Sequence, residues 1–129
     1  MFTDYSSCHK LFLEDEDSLQ IACVKYLKQA GLLFTSCGLS EFLNTDEKRI
    51  KSVRMGYSVG IADLLIFHPN NSYSMLVIEL KTPWGSGELS DEQCKTLYRF
   101  EKEGKAFVCV LNSIEVFVEI VTKYVNNLI

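Results

Sequence analysis

The hydrophobic and polar positions of this chain sort it into alternating helices and strands. From Ser18 to Ala30 the apolar residues Leu19, Cys23, Tyr26, Leu27 and Ala30 recur at helical spacing. The stretch Asp15 to Ser18 offers N-cap candidates and acid for the positive end of that helix, and Gly31 stops it. Leu32–Ser36 reads as a short strand, and Glu47–Met55 as a short basic helix closed by Gly56. Two apolar, β-branched runs at about 61–68 and 74–82 flank Pro69-Asn70-Asn71-Ser72, the pattern of a β-hairpin. A loop follows at Pro83-Trp84-Gly85-Ser86-Gly87. Ser90 and Gln93 then fit a capping box ahead of Cys94, Leu97 and Tyr98, with Gly104 as the stop. Ala106–Leu111 is a continuous apolar run, as in a central strand covered on both faces. Asn112 or Ser113 caps a last helix that carries Ile114, Phe117, Val121, Tyr124, Val125 and Leu128 on one side. The order predicts an α/β fold, a small mixed sheet flanked by helices, over residues 14–129. Residues 1–13 lack periodicity and read as an N-terminal arm.

Three charges interrupt the hairpin: Asp63 in the first run, Glu79 and Lys81 in the second. A turn centred on Asn71 pairs residues whose numbers sum to 142, which sets Asp63 opposite Glu79 on one face. Lys81, two residues on, points to that face as well. A turn shifted by one residue would set Asp63 opposite Ile78 and separate the two acids, so the whole arrangement rests on the register.

Composition narrows the partners. At 129 residues the chain is long enough for one domain with its own core. No apolar run reaches the length of a membrane helix and the start carries no secretory signal, so an intracellular protein of cytoplasm or nucleus is expected. Five scattered cysteines with no CxxC pair indicate neither a disulfide framework nor a zinc site. The net charge of −4 is a poor global match to nucleic acid. Its distribution allows an exception: acid gathers at Glu14–Asp17 and base at Lys48, Arg49, Lys51 and Arg54.

Two carboxylates that meet at a sheet edge repel unless something neutralises them. A hard divalent cation, Mg²⁺ or Mn²⁺, held by Asp63, Glu79 and the backbone carbonyl of Leu80, is one answer. Lys81 would then orient water or stabilise charge at a phosphoryl group. The alternative is an exposed strand face with a cross-strand salt bridge. Against it, the neighbours Leu64, Leu65, Ile66, Val77, Ile78 and Leu80 are apolar, and charges inside covered strands need a reason.

Asp63, fifteen intervening residues and Glu79-Leu80-Lys81 resemble the D…E-x-K core of the PD-(D/E)XK nuclease superfamily. More narrowly, the chain resembles a stand-alone VRR-NUC domain. Gly56-x-x-x-Gly60-x-x-Asp63, Ile78-Glu79-Leu80-Lys81, Gly87-x-Leu89-Ser90-x-x-Gln93 and Glu16-x-x-x-Gln20 follow that family's segments in order. Ala62 departs from it, where the family usually has proline. The resemblance implies a restriction-endonuclease-like fold and a Mg²⁺- or Mn²⁺-dependent DNA endonuclease. Asp63 and Glu79 would be metal ligands, Lys81 the catalytic lysine, and Glu16 an acid reaching the site directly or through water. It places Gln93 at the site too, although the capping box competes for the same side chain; Glu16 likewise reads equally as a helix N-terminal acid. Stand-alone members resemble Holliday junction resolvases, which implies a homodimer acting on branched DNA, a four-way junction or flap, in repair or recombination. The competing expectation is a nuclease-fold DNA-binding or scaffold subunit, active only in a larger complex. Lys48, Arg49, Lys51 and Arg54 are candidates to hold phosphates, or an ordinary solvated helix face. Trp84 is a candidate to stack on a base, or a loop anchor. His9 and His68 lack partners at ligand spacing.

Overall fold

The computed structural model describes residues 3–4, 16–37, 43–81 and 89–129. Among these described residues, four helices and five strands follow in the order β1 (Thr3–Asp4), α1 (Glu16–Ala30), β2 (Phe34–Ser36), α2 (Asp46–Arg54), β3 (Leu64–Ile66), β4 (Leu76–Leu80), α3 (Asp91–Lys102), β5 (Phe107–Leu111) and α4 (Ile114–Val125). They build one mixed sheet in the order β1-β5-β4-β3-β2. β4 lies at its centre, antiparallel to β3 and parallel to β5, with α3 as the crossover between the parallel pair. The helices and strands expected from the sequence are all present, with ends shifted by a few residues. β1 is an addition: Thr3 and Asp4 pair parallel with Cys109 and Val110. Two residues are too few to show any periodicity. The rest of the arm at 1–13 lies outside the described residues, as does the loop at 83–87.

Side-chain alternation divides the core into two layers. Leu64, Ile66, Leu76, Ile78, Leu80, Cys109 and Leu111 face α1 and α4, where Leu19, Cys23, Leu27, Phe117, Val121 and Tyr124 close the layer. Tyr26 of α1 meets Phe117 of α4 edge-on at 6.1 Å between ring centroids. Ala62, Val77, Val108 and Val110 face the other way, against Leu97 of α3. Every residue of β4 is buried, as a strand covered on both faces requires. α2 is the exception among the helices, with none of its residues buried.

The hairpin register is the one centred on Asn71: Leu64 pairs with Ile78, Leu65 with Val77 and Ile66 with Leu76. Asn70 fixes it. Its Oδ1 accepts the backbone N–H groups of Ser72 (2.9 Å) and Tyr73 (2.8 Å), an Asx turn. Its Nδ2 donates to the carbonyls of Tyr124 (3.1 Å) and Ile129 (3.3 Å), tying the turn to the end of α4. Asn70→Ala removes all four bonds and leaves partly buried backbone groups unmatched, so it should cost about 2 kcal/mol in chemical denaturation. A loss below about 0.5 kcal/mol would show that the turn holds itself without this side chain.

Candidate active site

The site forms where β3 stops pairing. Beyond Leu64–Ile78 the same register sets Asp63 opposite Glu79. On its other side Asp63 continues the ladder to β2, its carbonyl accepting the Cys37 N–H at 3.0 Å. The backbone N–H of Lys81 donates to Leu111 of β5 at 2.9 Å, so the N–H of Leu80 points to the opposite edge, toward β3. No β3 carbonyl takes it up; the Asp63 side chain does, through Oδ2 at 2.7 Å. The Leu80 carbonyl faces that edge too, because in an extended strand the two backbone groups of one residue point the same way. Asp63 thus finishes the ladder with its carboxylate, which brings that carboxylate to the centre of the sheet.

Glu79 lies beside it, only 3% exposed. The two carboxyl groups are close enough for each to shift the protonation of the other. Burial first, then the neighbouring Asp63, push the Glu79 carboxyl up to about 8. Asp63 is raised as well, again chiefly by burial, while the Leu80 N–H and the Lys81 charge oppose the shift. Without a cation both acids therefore favour the protonated form, most strongly at Glu79, while the Leu80 N–H works the other way at Asp63.

Gln93 resolves the competition that the sequence posed. It completes the capping box, Oε1 accepting from the Ser90 N–H at 2.9 Å and its own N–H donating to Ser90 Oγ at 3.1 Å. The other end of the same amide, Nε2, donates to Glu79 Oε1 at 2.9 Å. One side chain does both, because an amide has an acceptor end for the cap and a donor end for the carboxylate.

Glu16 is the first residue of α1 and remains accessible to solvent. Its carboxyl is raised by partial burial and then by Asp63, while Lys81 lowers it. Glu16, Asp63, Glu79 and Lys81 therefore share one electrostatic neighbourhood. Among the described residues, however, no three His, Cys, Asp or Glu side chains are close enough to hold a metal ion together. The pair itself, Glu79 buried and Asp63 half-buried, suits a hard cation. Glu79 Oε2 is buried and has no hydrogen-bond partner among the described residues, and Asp63, Glu79 and the Leu80 carbonyl offer an all-oxygen donor set.

The basic residues are elsewhere. Lys48, Arg49, Lys51 and Arg54 are exposed on α2, and none is among the charges that perturb Asp63, Glu79 or Glu16. Arg49 pairs with Asp46 at 2.9 Å and Lys48 bonds Asn44 at 3.1 Å. Trp84 lies outside the described residues. Two neighbours of the site escaped the sequence reading. Cys37 extends the β2–β3 register opposite Asp63. Asn112 extends the β4–β5 register opposite Lys81, fully buried and with both amide atoms unpartnered among the described residues. Register arithmetic carried one strand further, from Asp63 to β2 and from Lys81 to β5, is the signal that finds them.

A solved structure described as a VRR_NUC domain protein superposes with a TM-score of 0.70 over 90% of this chain and 92% of its own, at 21% identity. That likeness shows the fold. Among curated proteins, none matches the sequence. The pattern of the VRR-NUC domain itself matches residues 14–113, from the acidic run before α1 to the cap of α4. With Asp63, Glu79 and Lys81 on one end of its central hairpin, the chain belongs to the VRR-NUC family of nucleases.

Proposed function

We propose that the chain is a Mg²⁺- or Mn²⁺-dependent endonuclease that hydrolyses phosphodiester bonds of branched DNA. The observation that carries this reading is the pair of buried Glu79 and half-buried Asp63, with Lys81 two residues beyond, on the strand where Gln93 fixes one acid. Asp63, Glu79 and the Leu80 carbonyl would hold the cation, with Glu16 acting on it through water. When bound, such a cation polarises the phosphoryl oxygens and makes an attacking water more acidic. The chain's own groups do the rest. The Lys81 ammonium, set beside both carboxylates, orients the water and meets charge that develops on the phosphoryl oxygens. The Leu80 N–H fixes the Asp63 carboxyl and favours its ionised form, and Gln93 takes one Glu79 oxygen, leaving the other without a partner among the described residues.

α2 supplies the complementary contact to phosphates. Its four basic side chains project from a helix that buries nothing, so they can follow a backbone without disturbing the core. Reversing two of them, Lys51→Glu with Arg54→Glu, should weaken binding to all DNA forms alike and reduce the slope of log K against log salt by about two. An unchanged slope would remove α2 from the DNA interface. A four-way junction presents two strands to cut while one chain holds one such site, which favours a homodimer; light scattering of the free protein tests it.

A second reading has one observation in its favour. Ile50 and Met55 on or beside α2 are 61% and 77% exposed, a surface that suits a protein neighbour as well as DNA. The chain would then be a nuclease-fold subunit active only within a complex. Cleavage by the isolated chain decides between the two readings.

A further inference from the structure

We propose that Gly60 is a positioning residue of this site, the spacer that seats the segment leading to Asp63 against the first turn of α3 and thereby aligns Gln93 with Glu79. The proposal rests on the reading of Asp63, Glu79 and Gln93 as one nuclease site. Gly60 has φ +78, a backbone conformation that side-chain-bearing residues rarely adopt. It also has no room for a side chain. A Cβ there would lie 2.8 Å from the Glu92 carbonyl carbon and 2.9 Å from the Gln93 nitrogen, both backbone atoms that cannot swing aside. The loop therefore touches the very residue whose side chain bridges the cap and the catalytic carboxylate.

Two further contacts make this a joint. Thr96, one turn along α3, is 3.5 Å from the Val59 carbonyl. Ala62 is fully buried against the layer that contains Leu97 of α3. The segment 59–62 is thus clamped on α3, and its next residue is Asp63. Glu79 is held from this joint through Gln93 Nε2 at 2.9 Å. Pushing the loop off α3 displaces the donor from Glu79 without touching any side chain of the site.

Gly56 provides the control. Its φ is +104, yet a Cβ there meets nothing within 4 Å. Gly56→Ala carries the backbone strain alone, whereas Gly60→Ala carries strain and close contact together. Gly60→Asn keeps the contact but lessens the strain, since asparagine tolerates positive φ, and serves if Gly60→Ala fails to fold.

The experiment follows the Gln93 side-chain amide by ¹⁵N nuclear magnetic resonance in metal-free protein, the signal being assigned by its loss in Gln93→Ala. Gly60→Ala, or Gly60→Asn, should move this resonance to the position of a free glutamine amide, and Gly56→Ala should leave it in place. With DNA and Mn²⁺, Gly60→Ala should lower kcat by about 10- to 100-fold, as loss of a supporting contact does, with little change in KM. In the Gln93→Ala background the same substitution should cost no more than about 3-fold further, because the two act through one bond. An unmoved Gln93 resonance in a folded Gly60 variant, or full additivity with Gln93→Ala, would overturn the proposal. If the wild type cuts no DNA, the nuclease reading fails while the resonance still decides the role of Gly60.

Discussion

Lys81→Ala should lower the cleavage of branched DNA by at least about 10²–10³-fold while the circular dichroism and unfolding midpoint stay close to wild type. The fold has little to lose. Lys81 sits just past the last residue of β4, and its backbone N–H, bonded to Leu111, survives the substitution. Its side chain belongs to neither layer of the core. What disappears is a positive charge that opposes the upward shifts of Asp63, Glu79 and Glu16 alike. A phosphoryl group brought against two acids needs that charge, because the site is otherwise negative. Lys81→Arg keeps the charge but not the compact ammonium, so it should recover little. Cleavage within about 3-fold of wild type in Lys81→Ala would remove the lysine from the chemistry, since a group used in the transition state is worth far more than that.

Glu79→Gln should have two effects of opposite kind. Cleavage should fall below detection, because one of the two acids is gone. Stability of the metal-free protein should rise at alkaline pH. A carboxyl whose folded pKa lies above its unfolded value of 4.5 favours folding below that value, and this contribution is lost as pH rises through about 8. The wild type should therefore lose roughly 2–4 kcal/mol more than Glu79→Gln between about pH 5 and pH 9. Added Mn²⁺ should restore stability to the wild type at pH 8 and have little effect on the variant, since a ligand stabilises only the state that binds it. Parallel stability curves for the two proteins would mean that Glu79 is not held as a buried acid.

The sequence shows the site more clearly than its frame. The register that sets Asp63 opposite Glu79 follows from the sequence once the turn is centred on Asn71, because a turn fixes the pairing of every residue beyond it; the two continuous apolar runs alone do not exclude a shift by one residue. The capping box around Ser90 and Gln93 is equally legible, since it depends on neighbours in the chain. Its double use is not: the donor end of Gln93 meets Glu79 only through the packing of α3 on β4. The acceptor for the Leu80 N–H is hidden for the same reason. A pattern of apolar residues says that a strand continues or ends, not that a carboxylate takes over its last hydrogen bond. Gly56 and Gly60 look alike as residues that loosen the backbone. Only the structure separates them, one facing open space and the other pressed on α3.

The most direct test is cleavage of duplex, flap, replication-fork and four-way DNA by the purified chain, with Mn²⁺ or with EDTA, beside Glu79→Ala as the matched inactive protein. Under the proposed function, branched DNA is cut in the presence of Mn²⁺, and the cuts vanish with EDTA or with Glu79→Ala. Metal-independent cutting, or equal cutting by Glu79→Ala, would contradict it.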